Sequence, residues 1–95
     1  MKTLLHAAAI LLFAATATAA EPIKVLIVDG QNNHNWRGTS PILKQILENA
    51  KIFHVDVATA PDKPRGKASK EDEAQYRKKF KAFQPKFRDY AAVVV

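Results

Sequence analysis

The sequence predicts an α/β fold: three parallel strands alternating with two helices, β-α-β-α-β, in a sheet whose order begins 2-1-3. Three features carry that prediction. Residues 23–28 (IKVLIV) form an almost continuous apolar run that stops at Asp29-Gly30, the profile of a strand buried on both faces. Residues 42–50 and 70–83 place apolar side chains at helical spacing. Residues 91–95 (AAVVV) form a second run of the core-strand type. The connections are long enough for right-handed crossovers, which give a parallel sheet with helices on both faces.

Each element has a local reason. The first strand ends at Asp29, and residues 29–38 form a polar loop with the chain's only His–Asn–Trp–Arg cluster. Thr39-Ser40-Pro41 reads as a helix start, because Ser40 can cap free N–H groups and Pro41 has its φ already set for the first helical position. Ile42, Leu43, Ile46, Leu47 and Ala50 then form one apolar stripe, and the helix ends near residues 49–51. Residues 53–58 (FHVDVA) alternate strictly, with Phe53, Val55 and Val57 on one face and His54 and Asp56 on the other. That pattern suits a strand near a sheet edge. Residues 59–67 (TAPDKPRGK) are a Pro/Gly-rich connection. Ser69 followed by Asp72 resembles a capping box and opens a second helix over residues 70–83. Tyr76, Phe80 and Phe83 mark its inner face, and Pro85 prevents it running on.

The first twenty residues stand apart. MKTLLHAAAILLFAATATAA has a basic start, an apolar run and small residues at its end, the layout of a secretory signal peptide. A membrane span needs about 20 strongly apolar residues, and this run dissolves into Ala and Thr. Cleavage after Ala19 or Ala20 leaves residues 21–95 as one small domain, exported to the periplasm or beyond the cell, with no stable membrane insertion. The absence of cysteine removes disulfides and thiol nucleophiles. The last apolar run carries no turn signal, so residues 21–95 are expected to be the amino-terminal part of a longer domain and inactive by themselves.

The formal charge is +6, and residues 62–89 hold ten Lys/Arg against five Asp/Glu. This segment reads as a solvated helix face. Its acidic residues are interspersed, and no aromatic–basic interleaving suited to base stacking is visible, so a nucleic-acid partner is not expected. Attraction to an acidic polymer is the lesser reading. Oligomeric state is not legible.

In a flavodoxin-like sheet of order 2-1-3, the crossovers of the first and third strands leave to opposite sides and open a crevice above their carboxyl ends. The 29–38 loop sits there. Gly30 and Gly38 are too far apart for a dinucleotide-binding fingerprint, and no P-loop follows. His34 has no second His at i+4 and no Cys nearby, so no metal and no cofactor are expected. His34 can act as a general acid or base, or as a loop histidine bonded to backbone. Asn33 and Asn35 suit tight turns as well as ligand hydroxyls. Trp36 is either a plug over the first helix or a stacking face. Arg37 is either solvent-exposed or an anion contact beside the helix start. Asp29 can orient His34 or cap the turn. His54 is read as structural or solvent-facing.

The segments IKVLIVDGQNNHNWRGTSPILKQILE, IFHVDVATAP and FQPKFRDYAAVVV resemble the start of the ThuA-like (trehalose-utilisation) domain, in particular its secreted bacterial forms. The resemblance covers residues 23–95. Its most specific parts are D-G-x-N-N-H-x-W (Asp29, Gly30, Asn32, Asn33, His34, Trp36) and F-x-P-x-F-x-x-Y (Phe83, Pro85, Phe87, Tyr90). It implies a fold similar to class I glutamine amidotransferases without their activity, a role in carbohydrate metabolism, and a small-molecule sugar ligand with His34 facing the site. The expected mechanism has His34 moving a proton, Asn33 and Asn35 holding hydroxyls, and Trp36 stacking on a ring. The helix start, from Thr39 to Ile42, receives an oxyanion. A binding module that turns nothing over is the alternative. Two departures stand out: Lys51 replaces the glycine that relatives use to end the first helix, and residues 62–81 are longer and more basic than the family pattern.

Overall fold

The computed structural model describes residues 20–95. The signal-peptide reading falls on residues 1–20, of which all but Ala20 lie outside the described residues. Strand β1 (Ile23–Asp29) is followed by helix α1 (Trp36–Asn49), β2 (Phe53–Thr59), α2 (Lys70–Ala82), a 3-10 turn at Phe87–Asp89 and β3 (Ala92–Val94). The sheet order is β2-β1-β3, with β1 parallel to both neighbours. This is an open α/β sheet in the flavodoxin-like order. No helix among the described residues is long and apolar enough to cross a membrane.

The central place of β1 explains its unbroken apolar run. Val25, Leu26 and Ile27 are all buried although they point to alternating faces. Val25 and Ile27 join Val55 in a core that Leu43 and Leu47 of α1 and Phe53 cover. On β2, an edge strand among the described residues, the alternation holds over its first half, where Val55 is buried and His54 exposed, but fails beyond it: Val57 is 39% exposed while Asp56 is half-buried.

The opposite face is tied by polar contacts. The Tyr90 hydroxyl donates to Asp56 Oδ2 at 2.8 Å, His54 Nε2 lies 3.1 Å from Asp56 Oδ1, and Lys24 Nζ sits 5.0 Å from the centre of the Tyr90 ring. The Tyr90 hydrogen bond holds the Asp56 carboxyl below its usual range. Burial opposes that shift, and His54 and Lys24 assist it. A carboxyl with a depressed folded pKa stabilises above its unfolded pKa of about 3.9, and that contribution is lost as pH falls through the lower, folded value. Tyr90→Phe is therefore expected to weaken the dependence of stability on pH in this acid range. Urea midpoints measured across the range read the difference.

Helix α1 begins earlier than the residue pattern indicates. Its cap is Asn35, not Ser40, and Pro41 lies inside it. Asn35 captures the first free amides more effectively. Its side chain accepts from the Gly38 N–H at 3.2 Å, and its carbonyl accepts from the Thr39 N–H at 3.0 Å. Pro41, with no N–H, leaves the Arg37 carbonyl without its helical donor. The inward stripe runs through Trp36, Ser40, Leu43 and Leu47, spaced i, i+4, i+7 and i+11. Ile42 and Ile46, each one residue or about 100° round the helix, are 60% and 61% exposed.

The other end of α1 shows the consequence of Lys51. Its φ is +62°, so a lysine occupies the left-handed conformation that glycine adopts without penalty. Its N–H closes the helix on the Glu48 carbonyl at 3.0 Å. Lys51→Gly is expected to raise stability by up to about 1 kcal/mol, read as a higher urea midpoint at unchanged slope.

Helix α2 starts as predicted, with Asp72 N–H donating to Ser69 Oγ at 3.0 Å. Glu71, Asp72 and Glu73 lie at its first turn and Lys79 and Lys81 at its last, matching the helix dipole. Its expected inner face is only partly covered. Tyr76 and Phe83 are half-buried, whereas Phe80 is exposed. The reason is that Tyr76 docks on the connections and not on the strands. Gln31 Nε2 bonds to the Tyr76 hydroxyl and to the Pro61 carbonyl at 2.8 Å, tying α2 to the loop after β1.

Candidate functional site

The loop between β1 and α1 is a chain of tight turns. Gly30 has φ +87° and Gln31 φ +47°, and the Ala60 N–H donates to the Asp29 carbonyl at 2.8 Å. The backbone after β2 is thereby held against Gly30. Next, Asn32 Oδ1 accepts the His34 N–H at 2.9 Å, the local bond that makes Asn a turn former. The Trp36 N–H donates to the His34 carbonyl at 2.8 Å, and Asn35 caps the helix.

These turns place a cleft of about 210 Å³ at the carboxyl ends of β1 and β3. Asp29, Asn32, His34, Trp36 and Thr39 line one side. Val94 and Val95 line the other. A second cleft of about 280 Å³ lies between Trp36, Arg37, Pro41 and Lys44, and Asp29 and Ser40 border both. A larger, open hollow follows Pro85–Asp89, away from the strand ends.

The residues singled out by the sequence separate into two groups. Asp29, His34, Trp36 and Thr39 come together in the 210 Å³ cleft. The His34 ring makes no hydrogen bond among the described residues. Thr39 Oγ1 donates to the Asn35 carbonyl at 2.9 Å, which leaves its lone pairs to accept. Gly30, Asn33, Asn35 and Arg37 do not line this cleft. Gly30 is the turn residue, and Asn33 is exposed. Arg37 pairs with both Asp62 oxygens at 3.1 Å and stacks on Trp36, its guanidinium carbon 4.3 Å from the ring centre. Because Asn35 is a cap, Asn35→Ala is expected to lower stability by about 1 kcal/mol, read as a lower midpoint in thermal melts.

Two expectations are corrected by this geometry. No oxyanion site forms at residues 39–42, because the helix starts at Trp36 and the amides of residues 36, 38 and 39 are already bonded to His34 and Asn35. Asp29 neither orients His34 nor caps the turn through its side chain. It is 6% exposed, and its Oδ1 is buried with no hydrogen-bond partner.

Two cleft residues were not among the sequence candidates. Asn32 was visible only as a letter in the D-G-x-N-N-H-x-W pattern. Ser40 is 8% exposed and was assigned to the cap. A helical stripe drawn from Trp36 would have placed it inward. Among the described residues, no three or more His, Cys, Asp or Glu side chains come together as a metal site would require.

Fold and site together define an α/β domain with a small crevice at the carboxyl ends of adjacent parallel strands, walled by an imidazole, an indole and two valines. No family model, curated protein or solved structure matches this chain.

Proposed function

We propose that this is an exported ThuA-like domain protein that acts on a sugar or oxidised sugar derivative in carbohydrate utilisation. The observation that carries the reading is the convergence of His34, Trp36, Asn32 and Thr39 on one cleft at the β1–β3 crevice. Open α/β sheets bind their ligands at such a point. The cleft has the parts a pyranose needs. The indole offers an apolar face to ring C–H groups. Asn32, its carbonyl oxygen engaged by the His34 N–H, keeps its amide hydrogens for a ligand oxygen. Thr39 Oγ1 accepts from a ligand hydroxyl. His34, whose ring carries both a donor and an acceptor nitrogen when neutral, moves the proton.

Two-dimensional NMR of the full chain tests this. Neutral and oxidised hexoses and trehalose should shift the His34 ring and Trp36 indole signals together. A panel that moves neither rejects the site. Product formation that disappears in His34→Ala marks an enzyme and overturns the expectation that residues 21–95 are inactive by themselves. Saturable shifts with no product support ligand binding at the cleft without deciding turnover.

A further inference from the structure

The cations of residues 62–89 look diluted when counted, but their order along the chain separates them from the acids. Residues 77–88 (RKKFKAFQPKFR) hold six Lys/Arg and no Asp or Glu, while Glu71, Asp72 and Glu73 stay at the first turn of α2. All six cations are exposed. Arg77 lies 3.7 Å from Glu73. Among the described residues, Lys78, Lys79, Lys81, Lys86 and Arg88 make no salt bridge. Folding adds to this charge. The connection after β2, with Lys63, Arg65 and Lys67 exposed, runs beside α2, and Lys63, Pro64 and Gly66 share a hollow of about 260 Å³ with Tyr76 and Arg77. Two large apolar rings stand among the cations, Phe80 at 48% and Phe87 at 53% exposed. Phe87 walls the open hollow with Pro85, Lys86 and Arg88. Crowded like charge and apolar rings left in water are both unfavourable, and a partner that is anionic on its surface and apolar beneath relieves both.

We propose that residues 77–88, with the adjoining connection at residues 63–67, dock on an anionic lipid surface. Lys and Arg heads meet the lipid phosphates, each raising binding about fivefold. Phe80 and Phe87 enter the boundary between headgroups and acyl chains. The attachment is peripheral, not a span, and it does not depend on the sugar reading of the cleft. The two rings select lipid over other polyanions. A sulfated or carboxylated polymer is hydrated along its length and offers no apolar interior to Phe80 and Phe87. Single-stranded nucleic acid stacks its bases on open ring faces. Phe80 is instead tilted 41° against Tyr76 with ring centres 5.9 Å apart, an apolar cluster and not a stacking platform.

The test is co-sedimentation of the full chain with vesicles of phosphatidylcholine alone and of phosphatidylcholine mixed equally with phosphatidylglycerol. The apolar leader at residues 1–20 is common to every sample, so the readout is the difference between the two vesicles. Binding to the anionic vesicles is expected to be at least about tenfold tighter, the scale of two engaged cations or fewer, and to weaken with salt. Lys78→Glu combined with Lys81→Glu should remove most of that preference. Phe87→Ala should weaken binding to the anionic vesicles about threefold while keeping the salt dependence. If the double variant fails to fold, the vesicle preference and the Phe87→Ala comparison still decide. Equal binding to both vesicles, or a preference that survives the charge reversal, overturns the proposal. So does oligothymidylate or dextran sulfate binding as tightly as the anionic vesicles, or vesicle binding that Phe87→Ala leaves unchanged, since either result marks a general polyanion surface.

Discussion

Gly30→Ala is expected to lower stability by about 2–5 kcal/mol and, on the proposed function, to abolish sugar binding at the cleft. The residue has φ +87°, where a side chain carries a penalty of about 1–2 kcal/mol. An added Cβ would also lie 2.8 Å from the Ala60 carbonyl oxygen and 2.9 Å from the Ala60 nitrogen. Both are backbone atoms, and the Ala60 N–H is bonded to the Asp29 carbonyl at 2.8 Å. The neighbour therefore cannot yield without losing that bond, and overpacking of this kind adds about 1–3 kcal/mol. Because Asp29 precedes Gly30, any relaxation displaces the floor of the cleft. Urea denaturation reads the stability, and probe titration reads the site. A midpoint close to wild type would show that the turn has another conformation of similar energy.

The second large effect distinguishes two isoleucines that look equivalent in sequence. Ile27→Ala is expected to cost about 2–4 kcal/mol, whereas Ile46→Ala should change stability by less than about 0.5 kcal/mol. Ile27 is 3% exposed and packs with Val25 and Val55 beneath Leu43 and Leu47. Removing its outer carbons leaves a void at the centre of the sheet, where strands on both sides limit collapse. Ile46 is 61% exposed and loses little contact when shortened. Parallel melts of the two variants decide the matter. Equal losses would mean that Ile46 is covered in the folded protein.

Strands were more legible than helix positions, for a physical reason. Strand periodicity is short, and a central parallel strand buries both faces, so residues 23–28 could be recognised from apolar content alone. Residues 92–94 do form β3, but at the sheet edge among the described residues with all three exposed, not as the core strand their apolar run suggests. The alternation of residues 53–58 likewise marked β2 as an edge. The start of α1 depended on which of two polar residues wins the first free amides. Ser40-Pro41 offers good local chemistry, but Asn35 stands five residues earlier and caps the helix. Packing against the sheet then selects the Ser40, Leu43, Leu47 face and leaves Ile42 and Ile46 outward.

The candidate site divides along the same line. Its location followed from the order of elements, because a 2-1-3 sheet places the loop after β1 at the crevice whatever the loop contains. His34 and Trp36 could be chosen because their side chains are chemically distinctive. The roles of Asn33, Asn35 and Arg37 could not, because turn formers and ligand binders use the same residue types. Which asparagine caps the helix, and which salt bridge holds an arginine, depends on partners 3 to 25 positions away.

By itself, then, the sequence determined the strands, their parallel order and the place of the crevice, since these follow from hydrophobic pattern and connection length. Only the tertiary structure decided which polar groups remain free to meet a ligand. The DGQNNHNWRG loop uses most of its hydrogen bonds internally, leaving the His34 ring and the Asn32 amide at the cleft, while Asp29 Oδ1 is buried without a partner. That allocation depends on contacts with Ala60, Asp62 and β3, which lie far along the chain and meet the loop only when the sheet closes over β1.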